Sequence, residues 1–249
     1  VTRLVTVSWG PDQFRFGPWH GDGSTAYVAV SPRVAAPTSG GVRLLVDRLR
    51  SHGFRRVVTA ALRTHEVAAF EAVGFTERER LVVLSHDLRD IAEGPAVPMR
   101  RALRADRPAV LRLDGAAFDP AWSLDDDGLA EALAATPRAR FRVVDGTTPQ
   151  WSRSSASSAH DKELVGYAIC GRAGRIGYLQ RLAVHPSAQG AGLGRALVVD
   201  SLQWLRRRNG RLVMVNTQQT NLRALDLYRR LGFRTEPSEL TVLTRELAS

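Results

Sequence analysis

Between residues 98 and 249 the spacing of apolar positions switches between two periods. Short apolar or alternating runs at 139–145, 163–170 and 175–184 read as strands, as do Pro98–Arg104 and Arg211–Val215. Helical spacing lies between them. One helix is predicted from Asp106 to Phe118, and a second opens at Ser123-Leu-Asp-Asp-Asp and runs to Ala135. A third carries Leu197, Leu202 and Leu205 on its inner side as far as Arg208. Another amphipathic helix follows Asn221, and Phe233–Glu246 predicts a closing pair of strands. Elements alternating in this order define an α/β chain built on a mixed (α+β) sheet.

The first 90 residues repeat the later part of that order in worn form. Ala26-Tyr-Val-Ala-Val-Ser-Pro32 parallels Gly177–Pro186, and Gly41–His52 parallels the helix that ends at Arg208. Phe70-Glu-Ala-Val-Gly-Phe75 parallels Tyr228–Phe233, and Arg80–Leu88 parallels Glu239–Leu247. The copy is too short for an opening strand and two helices. Residues 1–90 are therefore expected to form a partial half-domain, 91–98 a linker with two prolines and a glycine, and 99–249 a complete domain. Gly146–Asp161, polar and without apolar period, predicts a flexible excursion that Trp151 pins to the surface.

Candidate chemistry concentrates in Leu182-Ala-Val-His-Pro-Ser-Ala-Gln-Gly-Ala-Gly-Leu-Gly-Arg195, a strand end, three alternating glycines and a helix start. Gly190, Gly192 and Gly194 let the backbone turn sharply and approach a ligand, while the first N–H groups of the helix have no partner within it. Such a place binds phosphate. A Walker A loop is excluded because Gly194 is followed by Arg195 and Ala196, and a dinucleotide fingerprint needs G-x-G-x-x-G with an acidic residue about 20 positions on. Taken alone, the loop could also be a tight turn that binds nothing. A second pattern stands about 30 residues downstream, Asn221-Leu-Arg-Ala-Leu-Asp-Leu-Tyr-Arg-Arg-Leu-Gly-Phe233. Together the two resemble the signatures of the GNAT (GCN5-related) acetyltransferases, Q/R-x-x-G-x-G/A at Gln189, Gly192 and Gly194, and N-x-x-A-x-x-L-Y-x-x-L-G-F at Asn221–Phe233.

The resemblance implies a GNAT fold, complete in the C-terminal domain, with a partial and non-catalytic GNAT-like repeat before it: a tandem arrangement. It implies acetyl-CoA as cosubstrate and no metal. The coenzyme's pyrophosphate would lie on the N–H groups of Gly190, Ala191, Gly192, Leu193, Gly194 and Arg195, with Gln189 preceding them and the Arg195 guanidinium adding a charge-assisted bond. The pantetheine arm would pair along Gln180–Val184, touching Leu182, Ala183 and Val184, and a backbone N–H of Leu182 or Val184 would hold the thioester oxygen. Tyr228 occupies the general-acid position, and Asn221 caps its helix and touches the coenzyme.

The general base is where the chain departs from the pattern. Asn216 stands twelve residues before Tyr228, where ribosomal-protein-type members carry Glu, and the strand before the glycine loop offers Tyr178 and Gln180 where other members have a carboxylate. A lysine amine of pKa about 10.4 is neutral roughly once in 2,500 at pH 7, a penalty near 4.6 kcal/mol, whereas an α-amine near 7.7 loses only about 1 kcal/mol. A weakly basic amine is the acceptor expected without a strong base, unless Asp119 or Glu163 acts through water. Asp125, Asp126 and Asp127 read as acidic residues favoured at a helix N-terminus rather than as an acceptor site. Cys170, in an apolar run without an adjacent His, reads as a buried structural thiol, and His185 as a turn residue.

Charge and composition refine this picture. The net charge is +10, with 12 Arg against 10 acidic residues in 1–98 and 23 Lys and Arg against 15 acidic in 99–249. The excess lies in the half that holds the glycine loop, as suits a ligand rich in phosphate. No helix-turn-helix, aromatic-interleaved sheet motif or zinc spacing accompanies it, so nucleic acid is not the expected partner. A single cysteine excludes an intramolecular disulfide, the six histidines show no metal-ligand spacing, and no apolar stretch spans a bilayer. The expectation is a cytoplasmic N-acetyltransferase, monomer or homodimer, acting on a primary amine of a small molecule or peptide. The alternative is a coenzyme-A-binding pseudoenzyme that serves as sensor or scaffold.

Overall fold

A computed structural model describes residues 4–19, 22–32, 34–120, 122–146 and 163–247. Trp151 and most of the predicted excursion lie outside them. In chain order the elements are β1 (Val5–Trp9), β2 (Asp12–Trp19), β3 (Asp22–Val30), α1 (Ser39–Ser51), β4 (Arg56–Thr59), β5 (Leu62–Arg63), α2 (Thr64–Glu71) and β6 (Thr76–His86). They continue with β7 (Arg100–Arg101), α3 (Arg107–Ala117), α4 (Asp126–Ala134), β8 (Arg138–Asp145), β9 (Leu164–Ala173), β10 (Ile176–Val184), α5 (Leu193–Arg207), β11 (Leu212–Gln218), α6 (Leu222–Arg230) and β12 (Arg234–Glu246). They fold into two compact units that interleave along the chain. The first comprises 1–83, 216–222 and 235–249, the second 84–215 and 223–234.

In the first unit β1, β2 and β3 form an antiparallel meander, β3 pairs in parallel with β4 across the α1 crossover, and β12 closes antiparallel to β4 and β5. Phe14 and Phe16, two apart on β2, point inward with Val28, Leu45, Leu49 and Phe70, and the C-terminal Leu243 and Leu247 complete the core. The start of α1 is closed by the protein itself. The Asp12 carboxylate accepts the Thr38 N–H at 2.8 Å and its hydroxyl at 2.5 Å, and the Thr38 hydroxyl accepts the Gly41 N–H at 3.0 Å.

The second unit repeats that crossover. β7, β8, β9 and β10 run antiparallel in order, and β10 pairs in parallel with β11 through α5. The β10–α5–β11 and β3–α1–β4 units share one construction, which is the internal repeat in three dimensions. Tyr167 and Ile169 of β9 pack with Val110 and Leu113 of α3 and Leu129 of α4, whereas Ala168 packs with Leu193 and Leu197 of α5. The sheet is thus covered on both faces.

Several elements differ from expectation for identifiable reasons. The strand at Pro98–Arg104 shrinks to the two residues of β7 and a 3₁₀ turn at Arg104–Asp106, because the Asp106 carboxylate takes the Leu103 N–H at 2.6 Å and two Arg100 nitrogens at 2.7 and 2.8 Å. Helix α4 starts at Asp126, not Ser123, because Asp125 supplies the cap by accepting the Gly128 N–H at 2.7 Å. The closing pair of strands is one strand, β12. β1 and β2, paired about a turn at Gly10 with φ +55°, had not been anticipated. The predicted linker runs along α5: Glu93 accepts from Arg195, and a Cβ on Gly94 would lie 3.0 Å from Val199.

Candidate active site

The site begins where β10 and β11 part. Their parallel pairing covers only Ile176 with Leu212, Gly177 with Val213 and Tyr178 with Met214. Pairing with β9 continues to Val184 but slips between Leu179 and Arg181, a bulge at Gln180. From Leu179 onward the edge of β10 facing β11 has no ladder partner among the described residues. That edge carries the backbone of Leu182, Ala183 and Val184 straight into the glycine loop.

The loop is shaped by local bonds. His185 Nδ1 lies 2.7 Å from the Ser187 hydroxyl and accepts the Ser187 N–H at 3.3 Å, fixing the 3₁₀ turn Pro186–Ala188. The Gln189 amide donates to the Val184 carbonyl at 3.1 Å, and its oxygen accepts from Arg223. Gly190 and Gly192 both have φ of +84°, a conformation costly to any residue with a Cβ, and nothing lies within 4 Å of where a Cβ on Gly190 would sit. Gly192 is the N-cap of α5, so the unpaired N–H groups of the first turn face the loop with no side-chain cap. At Gly194 a Cβ would stand 3.3 Å from Leu227, which brings the starts of α5 and the middle of α6 together.

Tyr228 on α6 is 6% exposed, and burial pushes its hydroxyl up to about 12. It therefore keeps its proton at neutral pH and can serve as a proton donor. Its ring lies 5.3 Å from that of Phe233. Arg195 is placed elsewhere than expected: its Nε and Nη2 donate to the Glu93 carbonyl at 3.0 and 2.6 Å. The cation bonded to the loop is Arg223, which sequence reasoning passed over although it lies inside the second motif. Asn216 is exposed and, like Asn221, belongs to the segment 216–222 of the first unit. Asn221 directly precedes α6.

The face of β10 toward α3 and α4 holds a second group that sequence reasoning missed. The bulge puts Gln180 and Arg181 on that same face. Asp114 of α3, fully buried, accepts from Arg181 Nε at 2.8 Å and Nη2 at 2.7 Å, from the Tyr167 hydroxyl, and from the Leu124 N–H at 2.6 Å. Arg181 also donates to the Trp122 carbonyl at 2.7 Å and lies 3.6 Å above the Phe118 ring. Burial and the neighbouring carboxylate raise the Tyr167 pKa well above its ordinary value. The cluster ties the α3–α4 loop to β10. The only sequence signal was a charge at each of two apolar phases, Asp114 beside Leu113 and Arg181 beside Leu182.

Gln180 donates to the Thr136 hydroxyl at 3.4 Å, and its amide oxygen is buried without a hydrogen-bond partner. Cys170 is buried and burial pushes its thiol up to about 12, so it carries no thiolate at neutral pH. Among the described residues no group of His, Cys, Asp or Glu is arranged to hold a metal, and no helix is long and apolar enough to cross a membrane.

The profile of the Acetyltransferase (GNAT) family matches residues 128–233. The chain is 29% identical over 231 residues to the mycothiol acetyltransferase of Rhodococcus opacus strain B4 and 31% identical over 231 residues to that of Rhodococcus jostii strain RHA1; each match covers 87% of this chain and 73% of the relative. A tandem GNAT protein from the clavulanic acid biosynthesis pathway has a similar fold, with a TM-score of 0.66 at 16% identity over 96% of this chain and 79% of that one. Fold and sequence relatives define an acyltransferase. The chain belongs to the GNAT acetyltransferase family.

Proposed function

We propose that this protein transfers an acetyl group from acetyl-CoA directly to a primary amine of a small molecule or peptide. The observation that carries this reading is the open edge of β10, which leads without a break into a glycine loop at the uncapped start of α5. An extended pantetheine arm fits an unpaired strand edge, and a pyrophosphate fits the N–H groups of residues 190–195. The space beside Gly190 admits a ligand where a side chain would stand. The helix dipole adds roughly 0.3–1 kcal/mol to anion binding. Arg223, already bonded to Gln189, supplies a cation at the loop.

In the reaction the neutral amine attacks the acetyl carbonyl, whose oxygen is held by a backbone N–H of Leu182 or Val184. The departing thiolate takes its proton from Tyr228, whose high pKa keeps that proton available. The acceptor is a weakly basic amine, because neither Gln180 nor Asn216 can take a proton. The first repeat is non-catalytic: at the start of α1 the Asp12 carboxylate occupies the place an anion would take.

The test is thiol release from acetyl-CoA over a panel of amines, including the acceptor of the mycothiol acetyltransferases, peptide N-termini, lysine peptides and polyamines. Turnover that falls about a hundredfold or more in Tyr228→Phe, with little change in KM for acetyl-CoA, supports the assignment. Coenzyme binding without turnover on any amine would favour a sensor or scaffold, the reading to which the absence of a carboxylate at Asn216 and Gln180 points.

A further inference from the structure

We propose that His86, the last residue of β6 and part of the segment that corresponds to the first repeat, is a positioning residue for Tyr228, so that the worn repeat completes the catalytic helix. The inference rests on the reading of Tyr228 as the proton donor. Leu84–His86 belongs to the same compact unit as residues 223–234.

The contacts run in an unbroken chain. The N–H groups of Leu231 and Phe233 both donate to the Tyr228 carbonyl at 3.0 Å, so the turn ending α6 is built on the tyrosine itself. His86 is buried against this turn: a Cβ on Gly232, where φ is +87°, would lie 3.3 Å from its Nε2. Its Nδ1 accepts the Leu88 N–H at 2.9 Å, which leaves Nε2 to carry the proton and donate to the Leu231 carbonyl. The imidazole meets the Phe233 ring at 5.1 Å and 61°, and Phe233 meets Tyr228 at 5.3 Å. Nδ1 is thus committed to the Leu88 N–H, while Nε2 and the ring face are committed to the Leu231–Phe233 turn.

Two further features fit a built device. Leu88 takes φ of +61°, a strained backbone for a residue with a side chain, and it is held there by its own burial and by its bond to His86. Burial lowers the His86 pKa below the usual imidazole value, the carboxylates of Asp87 and Asp90 oppose that shift, and Arg234 reinforces it. The ring is therefore neutral, as its accepting Nδ1 requires.

The experiment compares His86→Gln, His86→Asn and His86→Phe in the full chain. Gln places an amide N–H near the position of Nε2 and preserves the bond to Leu231. Asn preserves only an acceptor for Leu88, and Phe preserves only packing. Expected are a roughly tenfold fall in kcat for the Asn and Phe variants, KM for acetyl-CoA within about twofold of wild type, and recovery of most of kcat in the Gln variant. Amide hydrogen exchange across 224–233 is expected to rise in the same two variants and not in the third. A role confined to global stability would lower Tm in all three without separating Gln from Asn. Equal kcat in all variants, or equal loss in Gln and Asn, overturns the proposal. If the wild type turns over no amine, the acetyl-transfer reading fails on its own, and unchanged exchange in the Asn and Phe variants still overturns the role of His86.

Discussion

Asp114 and Arg181 show what a buried ion pair does when every lone pair is used. Asp114 accepts from Arg181, from Tyr167 and from a loop N–H, and Arg181 Nη2 also donates to the Trp122 carbonyl. Such a pair is worth little over an apolar replacement, but breaking one side strands the other charge in the core. Asp114→Asn should therefore cost about 3–5 kcal/mol, while the double variant Asp114→Asn, Arg181→Met costs well below the sum of the two single variants. Urea unfolding of the three proteins checks this, and additive losses would mean the charges do not depend on each other. The pair also marks a limit of sequence reading. A charge at an apolar phase is visible along the chain, but its partner, 67 positions away, is fixed only when α3 packs on β10.

The two crossover helices carry the comparison at the scale of elements. α1 and α5 start from equivalent positions after a parallel-paired strand, yet Asp12 fills one start and glycines leave the other open. Asp12→Ala removes the carboxylate that holds the capping residue Thr38; it is expected to cost about 1–3 kcal/mol of stability, the loss typical of a hydrogen bond to a charged group, and to leave coenzyme affinity unchanged. Gly192→Val forces a β-branched residue to φ +84° at the open start and should abolish coenzyme binding. Calorimetric titration of both variants with coenzyme A separates the two starts, and coenzyme binding that weakens in Asp12→Ala would contradict the assignment. The open start was legible because three glycines and a Tyr motif are local signals. The filled start was not, since Asp12 comes from β2, a strand that itself lies outside the repeated segments and pairs with β3. Arg195 misled for the same reason: its carbonyl partner at Glu93 is 102 positions away.

For the molecule as a whole, the order of elements was readable, but the exchange of segments between compact units was not. Alternation in β12 says that it is a strand and which side is apolar, not which strand it joins. It pairs Thr244 with Val58 and Glu246 with Arg56, and places Leu243 and Leu247 in a core made otherwise of residues 14–75. A cut after residue 98 therefore removes from the first unit a strand and two buried leucines, and from the second the segment that holds His86. Each fully buried leucine is worth about 1.5–3 kcal/mol, so with the lost strand pairing the deficit reaches the scale of a whole domain's stability. Fragments 1–98 and 99–249 expressed separately should show collapsed, poorly dispersed amide spectra, whereas co-expression should restore dispersion and co-purification. A fragment 99–249 that folds alone and releases thiol from acetyl-CoA at the full-length rate would show that the first repeat, His86 included, is dispensable to catalysis.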